Sequence, residues 1–474
     1  MSSPAKSAVE RWPRQIKFIV GNEACERFSY YGMRSVLAGY LTGEALKGGL
    51  GQNADSATEI IHTFVFANYF MPLLGAWLSD KIIGRYHTIL WVSLFYCAGH
   101  GVLACSGLAS DAHGRLLFLY AGLALIAFGS GGIKPCVSAF VGDQFKPEQS
   151  HLLQKAYGAF YWAINLGSFF SFLVIPWIKD RHGYSLAFGV PGIFMAIATF
   201  IFWLGTKHYV RVPPSRETKS AGFFKVFWHA FTAKRTPGHP FWDAARDRFN
   251  ETEINAAKSV LPILFVFAFI TPFWSLFDQM NSTWVLQGWK MVPTKILGLD
   301  IGAEQMQSMN PLIVMILVPL FTLGIYPRIG RFASPLRRMS YGMFLGAASF
   351  LVVALLQARL ETGAQLSVLW QTMPYLILTA AEVLVSTTGL EFAFREAAPE
   401  MKSIIMSFWF LTIAFGDLLV VAVTKLFANA GDHAASVSTN RFLLYAGVTF
   451  GVAILFSAAA AFYNYRDEAA ARGK

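Results

Sequence analysis

Twelve long apolar segments run through this chain, and their length limits it to one class of structure. A helix needs roughly 20 apolar residues to cross the hydrocarbon core of a bilayer. With 55% hydrophobic and only 14% charged residues among 474, the chain has the composition of a polytopic membrane protein. The segments lie near 15–43, 57–79, 86–109, 115–143, 153–178, 185–206, 259–288, 303–326, 336–360, 369–396, 401–429 and 440–466. The sequence therefore predicts an all-α membrane protein with twelve transmembrane helices.

The distribution of Lys and Arg predicts the side of the membrane that each loop faces. If the N-terminus is cytoplasmic, the inner loops and termini carry 27 of these residues and the outer loops carry eight. Cytoplasmic loops are enriched in Lys and Arg, so both termini are expected inside. The bias also accounts for the net charge of +11 without nucleic acid as a partner. The basic loops are instead expected to face the anionic lipid of the inner leaflet.

A polar stretch divides the segments into six and six. Residues 207–258 are rich in Pro and charge, and residues 222–232 (GFFKVFWHAFT) form an aromatic, basic patch too short to span a bilayer. A helix on the inner membrane surface is expected there. The predicted organisation is an N-terminal bundle at 1–206, a cytoplasmic linker at 207–258 and a C-terminal bundle at 259–474. In transporters built from two such bundles, the substrate site lies between the halves.

The first segment carries charges that are costly in a membrane. On insertion scales, one charged residue at the centre of a membrane helix costs roughly 2.5–3.5 kcal/mol, so such residues mark function. On a helix, six polar, charged or aromatic side chains of this segment fall within a sector of roughly 140°. They are Glu23, Glu26, Arg27, Tyr30, Tyr31 and Arg34. One face of this helix is therefore expected to serve a site inside the protein.

Other ionisable residues also lie deep in the segments. Lys134 follows a run of small residues and lies too far from the outer end to reach water, so it needs a carboxylate or an anionic ligand. Asp278 and Glu382 belong to the second half, whereas Arg34 and Lys134 belong to the first. Ion pairs across a central cavity would hold one end closed and would break when that end opens. These four residues are the predicted gating pairs.

The deep charges sum to one negative charge. The cations are Arg27, Arg34 and Lys134, and the anions are Glu23, Glu26, Asp278 and Glu382. Binding one proton would balance them, which makes proton coupling a hypothesis. Asp417 breaks this balance, and it is either a second protonation site or a hydrogen-bonded structural residue. His62 is either a packed histidine or part of a proton relay.

Two further features complete the sequence picture. The loop GAWLSDKIIGRY after the second segment is similar to a short acidic and basic motif of the major facilitator superfamily, although an ordinary inner turn would also carry such charges. Aromatic and amide residues could line a pocket, although most aromatic residues in such a chain face lipid or the core. The candidates are Tyr69, Trp162, Asn165, Trp274, Asn310 and Trp409.

Together these residues resemble the proton-dependent oligopeptide transporter family of the major facilitator superfamily. Residues 23–32 match its first-helix motif, and GSGGIKPCVSAFVGDQF and FYWAINLGSFFS are similar to its signature across spans four and five. The resemblance covers nearly the whole chain. It implies two six-helix bundles and proton-driven import of di- and tripeptides by alternating access. It also implies a monomer in a cell membrane, here a bacterial inner membrane, with no cofactor and no enzymatic activity.

The resemblance also implies roles for single residues. Those implied in proton coupling are Glu23, Glu26, Arg27, His62 and Lys134. Those implied in substrate binding are Tyr30, Arg34, Tyr69, Lys134, Asn165, Trp274, Asn310, Glu382 and Trp409. In this arrangement Arg34 and Lys134 take the carboxylate of the peptide, and Glu382 takes its ammonium group.

Departures from the family and alternatives to its function also follow from the sequence. Asp278 stands where the family usually has Glu, so its pairing with Arg34 requires closer helices. Residues 207–258 hold no extra spans, and 361–368 are too short for the outer domain of animal members. The alternatives are uptake of another small solute such as nitrate, or a non-transporting peptide sensor of the same fold. A membrane hydrolase is disfavoured because HExxH and GxSxG motifs are absent.

Overall fold

Long helices make up almost all of the structure, a computed structural model. The structure describes residues 12–44, 47–146, 149–214, 222–233, 240–329, 334–428 and 435–463. The helices of the first half are α1 (Ile16–Thr42), α2 (Ala54–Leu78), α3 (Gly84–Ala104), α4 (Ala112–Asp143), α5 (Ser150–His182) and α6 (Tyr184–Leu204). Both chain termini, whose location was predicted to be cytoplasmic, lie outside the described residues.

Helices of the second half are more often interrupted. They are α9 (Val260–Phe277), α10 (Thr283–Gly288), α11 (Met309–Pro319), α12 (Tyr326–Ile329), α13 (Pro335–Glu361), α14 (Thr372–Glu382), α15 (Thr388–Glu396), α16 (Lys402–Leu426) and α17 (Thr439–Ala461). A 3₁₀ turn joins α9 to α10, and π-helical turns join α11 to α12 and α14 to α15. A short antiparallel hairpin of β1 (Thr294–Ile296) and β2 (Leu299–Ile301) precedes α11.

The described residues contain ten segments that are long and apolar enough to cross a membrane. One of them, Ala54–Leu108, holds both α2 and α3, which are joined by a π-helical turn at Ser79–Ile83. Gly84, the first residue of α3, has a φ of 81°. The α1 helix is not among these ten segments, because its charged face makes it less apolar. Its 27 residues nevertheless form about 40 Å of helix, which is enough to cross a membrane. The all-α membrane fold is therefore confirmed, and counting α1 gives the twelve predicted spans.

Packing follows the division of the chain into halves. In the first half, α1 packs against α5 and α6, and α3 and α2 pack against α4. In the second half, α13 packs against α14 and α17, and α9 packs against α16. The two halves meet mainly where α2 lies against α16 and α5 lies against α11. A site between the halves can therefore draw residues from both.

The described part of the linker contains two α-helices, α7 (Phe223–Thr232) and α8 (Glu251–Lys258). The α7 helix lies within the patch for which a surface helix was predicted. Phe223 is buried and contacts the ring of Phe408 in α16, whereas Phe224, Trp228 and Phe231 are exposed. Residues 215–221 and 234–239 of the linker lie outside the described residues. The location of α7 on the inner membrane surface, like the domain boundaries, stays a prediction.

Glycine allows the close crossing of α2 and α4. A Cβ atom on Gly75 would overlap the backbone carbonyl of Gly132. Small residues at such crossings let two helix backbones approach closely in a membrane. This contact gives a physical reason for the glycine at the start of GAWLSDKIIGRY.

We expect Gly75→Ala to lower the thermal unfolding temperature of the protein in detergent. Overpacking of this kind costs about 1–3 kcal/mol. The matched control is Gly101→Ala, because a Cβ atom there meets nothing within 4 Å. Both changes gain up to about 1 kcal/mol of helix propensity, so only the clash differs between them. Equal unfolding temperatures for the two variants would contradict this reason for Gly75.

Candidate functional site

A cavity of about 210 Å³ lies between the two halves. It is bordered by α1, α2 and α5 from the first half, and by α9, α11, α14 and α16 from the second. Among the residues singled out from the sequence, those that line it are Tyr31, Arg34, Tyr69, Asn165, Trp274, Asp278, Asn310, Glu382 and Trp409. The rings of Trp274 and Trp409 meet edge to face, with centroids 5.9 Å apart, and form an apolar wall. Charged groups and this aromatic wall therefore line the same cavity.

Arg34 and Asp278 join the two halves at this cavity. Arg34 Nη2 donates to Asp278 Oδ1 at 2.9 Å, and both side chains are buried. The two helices that carry Arg34 and Asp278 are therefore as close as the shorter Asp side chain requires. This close contact is made at the end of α9, because Asp278 is the first residue of the 3₁₀ turn that follows this helix.

Glu382 presents a carboxylate to the same cavity. Its Oε2 accepts a hydrogen bond from Asn310 Nδ2 at 2.8 Å, and the same amide nitrogen lies 3.1 Å from Thr379 Oγ1. Within the described part of the chain, no Lys or Arg lies at ion-pair distance from Glu382. The cavity therefore holds an arginine from the first half and, from the second, a carboxylate that has no cation partner among the described residues.

Lys134 and Tyr30 lie beside the cavity and do not line it. Lys134 Nζ is 3.9 Å from the ring centroid of Tyr69 and 4.7 Å from that of Tyr30. This nitrogen is buried and has no hydrogen-bond partner among the described residues. Lys134 and Glu382, two of the four residues predicted to form gating pairs, are not bonded to each other here. Lys134 is held by two aromatic faces, as a cation–π contact allows.

The first-helix charges form a buried cluster. Arg27 Nε lies 3.1 Å from Glu23 Oε1 and also pairs with Glu26. Glu23, Glu26 and Arg27 are all buried, as the predicted polar face requires. The guanidinium carbons of Arg27 and Arg34 each lie 5.8 Å from the ring of Tyr30. Tyr30 therefore connects the cluster to the arginine of the cavity.

His62 makes a contact that the sequence did not predict. Its Nδ1 lies 2.6 Å from Asp417 Oδ1, and its Nε2 lies 2.8 Å from Ser282 Oγ. All three residues are completely buried, and the contact joins α2 to both α16 and the start of α10. His62 and Asp417 are 355 positions apart in the chain, so no sequence spacing could have indicated the pair.

The sequence of the chain also places it among known proteins. Residues 86–439 match the model of the POT family. This chain belongs to the POT family. It is 38% identical to Peptide transporter family 1 of Drosophila melanogaster over 368 residues, which cover 74% of this chain and 49% of that protein. It is also 38% identical to Solute carrier family 15 member 2 of Rattus norvegicus over 379 residues, which cover 76% and 51%.

The chain thus spans about half the length of these two POT relatives. A crystal structure described as an auto inhibited POT family peptide transporter is similar to it with a TM-score of 0.86 at 38% identity. That similarity covers 95% of this chain and 98% of the other. The fold is that of the major facilitator superfamily, to which POT transporters belong. The protein is therefore a multi-pass membrane protein of a transporter family.

Contacts between the halves of this POT protein gather on the predicted outer side. Lys179 at the end of α5 pairs with Glu304 before α11. Glu59 of α2 pairs with Lys425 of α16 at 2.9 Å. These links, with Arg34 and Asp278 deeper in, close the outer side in this structure.

A second cavity lies on the predicted inner side. It measures about 630 Å³ and is lined by residues of both halves, among them Asp80, Arg85 and Lys402. Phe410 borders both this cavity and the central one. The central site therefore lies next to a wide inner space and below a closed outer face. Trp162, which was expected to line the central pocket, does not line it, and this residue is 52% exposed.

Proposed function

We propose that this protein is a proton-coupled symporter that imports di- and tripeptides by alternating access, as a monomer in a cell membrane. The observation that carries the proposal is the charge pattern of the central cavity. Arg34 lies on the side of the first half, and Glu382, which has no cation partner in the part of the chain that the structure describes, lies on the side of the second. A peptide is a zwitterion with one charge at each end, so two fixed opposite charges suit its termini. One relative is named Peptide transporter family 1, and the similar crystal structure is described as a POT family peptide transporter, which supports this choice.

Peptide binding would act directly on the outer closure. The peptide carboxylate needs Arg34, and Arg34 is already bonded to Asp278 across the halves. Binding therefore competes with the bond that closes the outer side, so occupancy and conformation depend on each other. Lys134 can add a second positive charge from behind Tyr69. The wall of Trp274 and Trp409 offers apolar surface to varied side chains.

Proton coupling is proposed to pass through the first-helix cluster. A proton on Glu26 weakens its ion pair with Arg27, and the charge of Arg27 then acts on its neighbours. The ring of Tyr30 lies between Arg27 and Arg34 and also contacts Lys134. Charge changes at the cluster therefore reach Arg34, which lines the cavity, and Lys134, which lies behind Tyr69.

Dialanine uptake in proteoliposomes tests this proposal. With an inward proton gradient, the purified protein is expected to accumulate labelled dialanine above its external concentration, and a proton ionophore is expected to abolish the accumulation. Nitrate uptake instead of dialanine uptake would indicate the other small-solute function. Saturable dialanine binding without any flux would indicate a sensor. Accumulation that persists without a proton gradient or a membrane potential would refute proton coupling.

We expect Glu382→Gln to raise the KM for dialanine by at least about tenfold, with a smaller effect on the maximal rate. Hydrogen bonds to charged groups contribute about 1.5–3 kcal/mol, and the variant loses the charge that would hold the ammonium group. The matched control is Glu391→Gln on the same span, where the carboxylate is half exposed and pairs with Arg338. N-acetylated dialanine, which lacks the ammonium group, should inhibit uptake by the variant as well as unmodified dialanine does. It should inhibit uptake by the wild type only poorly. An unchanged KM would contradict the role of Glu382.

A further inference from the structure

A wedge-shaped cavity lies between α2 and α4 on the predicted outer side. It measures about 280 Å³ and is lined by residues within 59–67 of α2 and within 120–127 of α4. Further along, the two helices touch, because a Cβ atom on Gly75 would overlap the backbone of Gly132. The helices therefore meet toward the inner side and separate toward the outer side. We call the space between their outer parts the outer wedge.

The outer wedge is open to the membrane. Tyr120 and Ala124 at its edge are exposed, whereas Phe64 and Leu123 at its floor are at most 5% exposed. Phe70, which continues the lining face of α2 by one helical turn, is exposed as well. In a multi-pass membrane protein, exposed apolar side chains within a transmembrane helix face the lipid tails. The floor of the wedge can therefore be reached from the hydrocarbon core.

The lining of the outer wedge suits an apolar occupant. Six of the nine residues that line it have side chains without a polar atom, and three of these are the alanines Ala67, Ala124 and Ala127. Apolar cavities of about 150 Å³ in proteins stay dry and take up apolar molecules. Residues 59–67 span about 12 Å of helix, so the wedge extends along the two helices. Among the molecules of a membrane, a lipid acyl chain has this shape and polarity.

Charged and aromatic polar groups lie at the outer end of the wedge. Glu59 lines the wedge there, and its carboxylate pairs with Lys425 of α16 at 2.9 Å. Tyr120, the first lining residue of α4, has an amphipathic ring of the kind that is enriched at the membrane interface. The polarity of the wedge thus follows that of a lipid, with charge outside and hydrocarbon inside. The carboxylate of Glu59 favours a headgroup that carries an ammonium group and disfavours the anionic headgroup of a free fatty acid.

We propose that the outer wedge binds one acyl chain of a zwitterionic phospholipid from the outer leaflet, with the headgroup beside Glu59. The bound chain lies behind the residues of α2 that contact Tyr30. Phe64 lines the wedge, and its ring centroid is 6.3 Å from that of Tyr30. Asn68, one turn further along α2, donates a hydrogen bond to the hydroxyl of Tyr30 at 2.8 Å. The chain therefore supports the part of α2 that holds Tyr30 in place. This inference does not depend on the proposed symport.

Photolabelling tests the proposal. The protein is placed in phosphatidylcholine nanodiscs that contain a small fraction of phosphatidylcholine with a diazirine midway along one acyl chain. After illumination and proteolysis, mass spectrometry locates the labelled residues. The floor residues Phe64 and Leu123 are expected to be labelled, because only a chain inside the wedge reaches them. Phe70 reports labelling by lipid at the open surface. Labelled Phe70 with an unlabelled floor would overturn the proposal.

Ala124→Phe fills the outer wedge with a side chain of the protein. It is expected to lower labelling of the floor by at least about tenfold and to leave labelling of Phe70 unchanged. Ala121→Phe is the matched control, because Ala121 is exposed on the same helix and does not line the wedge. Its floor is expected to be labelled as strongly as that of the wild type. Equal floor labelling in the two variants would show that the label enters by another route, and the proposal would fail. If Ala124→Phe does not fold, labelling of the wild-type floor decides.

The headgroup is tested with a free fatty acid that carries the same diazirine. At an equal mole fraction in the nanodiscs, it is expected to label the floor less than the phospholipid does, because Glu59 repels its carboxylate. Glu59→Gln is expected to reduce this preference by about twofold to fivefold, which is the effect of one exposed charge pair. Stronger labelling of the floor by the fatty acid, or an unchanged preference in Glu59→Gln, would overturn the assignment to a zwitterionic phospholipid.

Discussion

Replacing Glu26 by Gln is expected to abolish net, proton-driven accumulation of dialanine while exchange of internal for external dialanine continues. Glu26 is almost completely buried and pairs with Arg27. Gln keeps the size of the side chain and a hydrogen-bonding group, but it behaves as a permanently protonated carboxyl. The loaded transporter can still change conformation, so exchange remains. The empty transporter cannot return, because its return requires the ionised cluster.

The expected loss of net accumulation is at least about tenfold, which corresponds to about 1.4 kcal/mol or more of lost coupling. Exchange measured in the same vesicles shows that the variant is folded and inserted. Glu251→Gln is a suitable control, because this linker carboxylate pairs with Arg246 on the exposed surface. Accumulation at the wild-type level in Glu26→Gln would show that the first-helix cluster does not carry the proton.

Lys134→Ala is expected to reduce both accumulation and exchange of dialanine by at least about tenfold. The substitution removes the cation held between the rings of Tyr30 and Tyr69. The site then loses part of its attraction for the peptide carboxylate. It also loses the cation that is proposed to respond, through Tyr30, to protonation of the first-helix cluster. Rates of uptake and of exchange, each measured over a range of dialanine concentrations, give the two effects separately.

Lys402→Ala is the control for this second prediction. Lys402 borders the inner cavity and lies 5.7 Å from the ring of Phe394, away from the central site. Its removal changes the charge of the protein by the same amount. Lost accumulation with normal exchange in Lys134→Ala would assign Lys134 to proton coupling alone and would contradict its role in holding the peptide.

The cost of buried charge explains why much of the site could be predicted from the sequence. A charged residue deep in an apolar segment needs a function or a partner, and this rule selected the first-helix face. Helical periodicity then placed Glu23, Arg27 and Arg34 on one side of α1. The structure buries this face inside the protein.

The partners of these charges could not be predicted, because they depend on helix ends and on the contacts between halves. The bond of Arg34 to Asp278 relies on the 3₁₀ turn that follows α9. The contact of His62 with Asp417 relies on the packing of α2 against α16. Lys134 lies behind an aromatic ring and not opposite Glu382, because the relative position of the halves decides which charges meet. Sequence patterns carry no direct signal for such distances.

The central claim is that proton and dialanine movements are obligatorily linked, and reverse coupling tests it most directly. Proteoliposomes are loaded with a pH-sensitive dye, with equal pH on both sides and the membrane potential clamped at zero. Dialanine is then added outside only. The account predicts that the vesicle interior becomes acidic while dialanine enters, and that Glu26→Gln shows no acidification. Dialanine entry through the wild type without any acidification would contradict the account.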